Sequence, residues 1–158
     1  MIVEDTPSLR DSLKIILQRS GYDVTAVADA EQAEISCKAD YPDLILLDIL
    51  LPRMNGLDLL AKLRKTACGK DVAVIVITQL SDHAYREMAK KLGVKKYFVK
   101  ANFSLFEILS AVDEILTAIP EKKSARVDEG QKVRSKVIKS SKSGSGNTGK
   151  NKSKAKKI

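Results

Sequence analysis

Tryptophan is absent from this 158-residue chain, histidine occurs once, at His83, and cysteine twice, at Cys37 and Cys68. Two cysteines build no disulfide framework, and with a single histidine they fall short of a structural zinc site. A reducing, cytoplasmic compartment is expected. Long apolar runs are missing as well. The longest, Leu44 to Leu51, is interrupted by Asp48 and lies far below the ~18 residues of a membrane span. The chain does not open on a charged region followed by an apolar stretch, so neither a signal peptide nor a membrane anchor is expected. The length suits one compact domain with an appendage rather than a long multidomain enzyme.

The net charge of +8 is unevenly placed. Residues 1–119 hold 15 basic and 17 acidic side chains, a net of −2, whereas residues 120–158 hold 13 basic and 3 acidic, a net of +10. The second segment has no aromatic residue and is rich in Lys, Ser and Gly. It buries too little apolar surface to offset its ordering entropy, which predicts a disordered basic tail over 120–158, loosest from Ser140 to Lys157. As a flexible coil it would reach roughly 35 Å root-mean-square.

Within residues 1–119 the apolar period alternates. Leu9, Leu13, Ile16 and Leu17 share a helical face, with Pro7 near its start and Gly21 at its stop. A short strand is expected at Val24–Val27, then a helix capped by Asp29 and running to about Ala39. Leu44–Leu47 reads as a strand covered on both faces. After the turn residues Pro52, Asn55 and Gly56, the group Leu57, Leu60, Ala61 and Leu63 marks a third helix. Val72–Ile77 is another apolar strand, Tyr85 to Leu92 a fourth helix closed by Gly93, and Tyr97–Val99 a short strand. A last helix after an Asn102 cap carries Leu105, Ile108, Leu109, Val112, Leu116 and Ile119. Five strands alternating with five helices predict an α/β fold with a parallel sheet covered on both faces. The first strand, Met1–Val3, is short against the usual ~5 residues, as if a few residues were missing before it.

In an open parallel sheet, ligands bind beyond the carboxyl ends of the strands. Those ends hold Glu4 and Asp5, then Asp48, Thr78 and Lys100. Crowded carboxylates repel one another unless a cation sits among them, and hard oxygen donors without His or Cys select Mg²⁺. An ammonium and a hydroxyl beside them supply the electrophilic partners a phosphoryl group needs. The set fits phosphoryl transfer to an aspartate.

Four segments together, I-V-E-D (Ile2 to Asp5), L-I-L-L-D-I-L-L-P-R-M-N-G (Leu44 to Gly56), V-I-V-I-T (Val74 to Thr78) and Y-F-V-K (Tyr97 to Lys100), resemble the CheY-like receiver domain of two-component response regulators. The intervals of 30 residues from Asp48 to Thr78 and 52 from Asp48 to Lys100 suit that family. The resemblance implies a flavodoxin-like sheet of order 2-1-3-4-5. It also implies Asp48 as phosphoacceptor from a sensor histidine kinase, a phosphotransfer protein or a small phosphodonor. Asp5 and Asp48 would bind Mg²⁺ directly, Glu4 through water, and the backbone carbonyl of Leu50 would complete the protein ligands. Lys100 would pair with the phosphoryl group, while Thr78 and Tyr97 would act as switch residues altering the surface of the fourth helix, fifth strand and fifth helix. A downstream protein would read that surface, with room for a phosphorylation-dependent homodimer.

The sequence departs from the family at several places. Ala101 stands where the family most often has proline, so a trans link is expected there, cis costing ~2.5–4 kcal/mol without proline. Gln79 is larger than the small residue usual after the threonine, and either obstructs the phosphodonor or reaches over the phosphoryl group. Leu50 and Leu80 are apolar where polar residues orient hydrolytic water in relatives, which predicts a long-lived phosphorylated state. Elsewhere His83, Cys37 and Cys68 read as inert, and Arg86, Lys90, Lys91, Lys95 and Lys96 as a solvated basic face, with a partner contact as the second reading. Phe106 lies off the apolar stripe of the last helix and marks either a partner surface or packing on the fourth helix.

Two other functions compete. An aspartyl-phosphate hydrolase of the haloacid dehalogenase type needs D-x-D at the nucleophile, and Ile49 and Leu50 follow Asp48, so the general acid is missing. A phosphorylation-independent accessory protein would use the tail to bind nucleic acid. The tail is read either as an inert solubilising extension or as a nonspecific contact for nucleic acid or an anionic surface; it lacks the apolar positions of a helix-turn-helix.

Overall fold

The structure is a computed structural model that describes residues 1–118; the expected basic tail and Ile119 lie outside the described residues. Five strands, β1 (Ile2–Val3), β2 (Ala26–Val27), β3 (Leu44–Leu47), β4 (Ala73–Thr78) and β5 (Lys96–Val99), form one parallel sheet in the order β2-β1-β3-β4-β5. Five helices connect or follow them: α1 (Pro7–Arg19), α2 (Ala30–Asp40), α3 (Gly56–Leu63), α4 (His83–Lys91) and α5 (Leu105–Ala118). This is the flavodoxin-like fold read from the sequence. Among the described residues no helix is long and apolar enough to cross a membrane.

Every residue of β3 and β4 is buried, because successive side chains point to opposite faces and helices cover both. Val3, Ile45, Leu47 and Val74 pack with Ala33, Cys37, Leu59, Leu60 and Leu63 of α2 and α3. The alternate residues Ile2, Leu44, Leu46 and Ile75 are equally buried, on the face where α1 lies beside α5. Two polar contacts hold α5 at its flanks: the Tyr22 hydroxyl donates to Asp113, and Lys96 pairs with Glu114 at 2.5 Å.

The register explains where chemistry collects. Val3 is level with Val27 and Leu47, Leu47 with Val76, and Thr78 with Val99. Glu4, Asp48, Thr78 and Lys100 therefore stand at one edge of the sheet. At the opposite edge the Met1 backbone nitrogen donates to the Leu44 carbonyl at 2.7 Å.

Local signals set the helix ends. Side chains of Asp29, Asn55 and Asp82 accept backbone N–H groups at the starts of α2, α3 and α4, and Gly21 and Gly93 take positive φ after α1 and α4. Asn102 does not cap α5. It belongs to a 3₁₀ turn, Lys100–Asn102, and the cap passes to Ser104. The Ser104 N–H donates to the Glu107 carboxylate at 2.6 Å, and the Glu107 N–H donates to Ser104 Oγ at 3.3 Å. That reciprocal pair satisfies two orphan groups where an Asn102 cap would satisfy one. The link to Ala101 is trans, as are all peptide bonds among the described residues.

Cys37 and Cys68 are both buried and free. Burial, then the neighbouring Cys68, pushes the Cys37 thiol up to about 12, in keeping with an unreactive role.

Candidate functional site

Asp48 follows the last residue of β3 and is 3% exposed, and Glu4, just past β1, is 2% exposed. A buried carboxylate needs a counter-charge or donors, and Lys100, just past β5, supplies the charge to both. Its Nζ lies 2.6 Å from Asp48 Oδ2 and 2.8 Å from Glu4 Oε1. Local backbone adds to this: Leu50 N–H donates to the other Asp48 oxygen, Oδ1, at 3.0 Å, and Thr6 N–H donates at 3.2 Å to the same Glu4 Oε1 that Lys100 contacts. Burial alone would lower the Lys100 pKa, but hydrogen bonds and charge from Asp48 and Glu4 outweigh it and hold the ammonium above the ordinary lysine value.

Asp5 is exposed, touched by the Thr6 hydroxyl at 3.4 Å. One oxygen each from Glu4, Asp5 and Asp48 lies within 4.8 Å of the others. Three carboxylates against one ammonium leave the cluster negative. Octahedral Mg²⁺, with bonds of ~2.0–2.1 Å, spaces its ligand oxygens by roughly 3–4 Å, so the donor type and spacing fit such an ion with little adjustment.

Thr78 ends β4 fully buried. Its Oγ1 accepts the Leu80 N–H at 3.4 Å, which leaves the hydroxyl proton for another acceptor. Tyr97 on β5 is half-buried and donates its hydroxyl to the Leu80 carbonyl at 2.9 Å. Leu50 is 45% exposed, and Gln79 is exposed too.

Other contributors went unread in the sequence. Arg10, in the first turn and a half of α1, donates from one guanidinium nitrogen to the Glu4 carbonyl at 2.9 Å and the Asp5 carbonyl at 3.1 Å. A basic residue five positions after Asp5 was the available signal. Gly56 was read as a turn residue, yet it begins α3. A Cβ there would stand 2.0 Å from the Asp48 carbonyl oxygen, so absence of a side chain is what lets α3 approach the site. Arg53 adopts φ +68 and reaches Asp29 at 3.3 Å and Glu31 at 3.5 Å, tethering the β3–α3 loop to the start of α2.

Residues 1–113 match the response regulator receiver domain. The chain belongs to that family. A probable transcriptional regulator, ycf27, of Porphyridium aerugineum is 33% identical over 124 residues, covering 78% of this receiver chain and 50% of that protein. The alkaline phosphatase synthesis transcriptional regulatory protein PhoP of Bacillus subtilis is 31% identical over 116 residues, 73% of this chain and 47% of that one. The receiver chain thus spans about half the length of the curated relatives it matches. Among solved structures, the receiver domain of sensor histidine kinase PA1611 from Pseudomonas aeruginosa superposes with a TM-score of 0.66 at 29% identity. The match covers 74% of this chain and 95% of that one, whose active-site cleft coordinates a magnesium ion. The receiver is a signalling module rather than a metabolic enzyme by family.

Proposed function

We propose that this receiver accepts a phosphoryl group on Asp48 from a sensor histidine kinase or a phosphotransfer protein, with Mg²⁺ held by Asp5 and Asp48 directly, by Glu4 through water, and by the Leu50 carbonyl. The observation that carries the reading is Lys100 bridging Asp48 and Glu4 at 2.6 and 2.8 Å within a three-carboxylate cluster.

Asp48 Oδ attacks the donor phosphorus; the bond from phosphorus to the donor imidazole nitrogen breaks, that nitrogen keeps the electron pair, and an acyl phosphate forms on Asp48. Bound Mg²⁺ supplies charge neutralisation at a phosphoryl oxygen. The Lys100 ammonium moves from the carboxylate to a second phosphoryl oxygen. Thr78, whose proton is uncommitted to Leu80, donates to the third. Transfer consumes the negative charge of one carboxylate and installs a dianionic group, which biases the α4–β5–α5 surface. A downstream protein, or a second copy of the chain, reads that surface in the cytoplasm. Asp48 is then the sole covalently modified residue, and the chain turns over no substrate of its own. The tail from residue 120 is a separate basic segment that adds nonspecific attraction to anionic partners.

Mass spectrometry after incubation with acetyl phosphate and Mg²⁺ tests this. One phosphoryl adduct is expected on the wild type and none on Asp48→Ala. A folded wild type that takes no adduct overturns the reading and favours the phosphorylation-independent accessory role.

A further inference from the structure

Arg86, read from sequence as one cation of a solvated face, has a specific partner. Its guanidinium carbon lies 4.6 Å from the centroid of the Tyr97 ring, a stacking distance at which the cation is attracted to the ring face. The same ring extends its hydroxyl to the Leu80 carbonyl at 2.9 Å, and Leu80 turns its N–H toward Thr78 Oγ1 at 3.4 Å. Arg86, Tyr97, Leu80 and Thr78 therefore form one continuous series from the surface of α4 to the buried end of β4. Tyr97 also packs against the buried cluster of Ile49, Leu57, Val76 and Ala89, so its side chain has apolar neighbours as well as a cationic one. Burial raises the Tyr97 pKa and Arg86 opposes that rise.

We infer that Arg86 is a positioning residue: by stacking on Tyr97 it holds the hydroxyl on Leu80 and so presets the β4–α4 loop in the arrangement that receives a phosphoryl group beside Thr78. Neighbouring Lys90, Lys91 and Lys95 are exposed. The inference deepens the phosphoacceptor reading and rests on it for its consequence, though not for the stacking itself.

The full-length chain, Arg86→Ala and Arg86→Lys are compared by two measurements. Tyrosine-labelled NMR follows the Tyr97 ring and hydroxyl without any phosphodonor, and beryllofluoride titration in Mg²⁺ measures affinity for a phosphoryl mimic. In Arg86→Ala the Tyr97 ring signals should shift, its hydroxyl should exchange faster, and beryllofluoride affinity should fall about two- to fivefold, with Mg²⁺ affinity unchanged. Arg86→Lys should restore only part, since lysine keeps the charge but loses the planar stack. Unchanged Tyr97 signals overturn the inference, as does an equal loss of Mg²⁺ affinity, which would mark general damage to the site. If the wild type binds no beryllofluoride, the phosphoacceptor reading fails, and the NMR comparison alone decides whether Arg86 positions Tyr97.

Discussion

The carbonyl oxygen of Asp48 occupies the space that a Cβ on Gly56 would need, 2.0 Å from its ideal position. Backbone cannot yield as a flexible side chain does. Gly56→Ala is expected to cost about 3 kcal/mol or more, by urea denaturation, and to weaken Mg²⁺ binding. Gly21→Ala is the comparison: its φ of +90 is strained for alanine but nothing lies within 4 Å, so a cost of about 1 kcal/mol is expected. Equal effects of the two substitutions would remove the steric argument.

Lys100 supplies the only ammonium hydrogen-bonded to Asp48 and Glu4 among the described residues. Lys100→Met should destabilise the fold by about 3 kcal/mol in EDTA, because it leaves two buried carboxylates unpaired. Excess Mg²⁺ should recover part of the loss. Identical urea midpoints for wild type and variant in EDTA would contradict the pairing.

Arg10 clasps the carbonyls of Glu4 and Asp5 from outside the carboxylate cluster. Arg10→Ala should lower Mg²⁺ affinity about tenfold with a smaller change in stability, measured by isothermal titration. A variant with wild-type affinity would show that the β1–α1 loop holds its shape unaided.

Leu50 and Leu80 border the site without offering a group to orient water. On the phosphoacceptor reading, Leu50→Asn should shorten the lifetime of phosphorylated Asp48 about tenfold, with little folding cost because Leu50 is 45% exposed. Radiolabel loss measures it; a wild-type half-life of seconds would defeat the prediction.

Sequence pattern was most informative where burial is complete. Leu44–Leu47 and the apolar stretch ending at Thr78 read as covered strands, and their ends named the site residues, because a parallel sheet delivers strand ends to one edge. Boundaries slipped by one or two residues at the strand starts: β2 begins at Ala26 rather than Val24, and β4 at Ala73 rather than Val72. The capping box of Ser104 and Glu107 is present in the sequence, but Asn102, two residues earlier, is an equally good cap by residue type. Arg10 and Arg86 were not legible for a different reason. Their partners are backbone carbonyls and a ring face, which leave no complementary charge elsewhere in the chain to point to them.

Because every strand runs the same way, the molecule has a working edge and a blind one. The connection between α3 and β4 lies on the blind edge, and Lys70 within it is exposed. With Cys37 at 0% and Cys68 at 7% exposure, a Lys70→Cys substitution would present the one accessible thiol among the described residues. A dye or chip linker attached there would immobilise the protein in a single orientation, with the carboxylate cluster facing freely into solution.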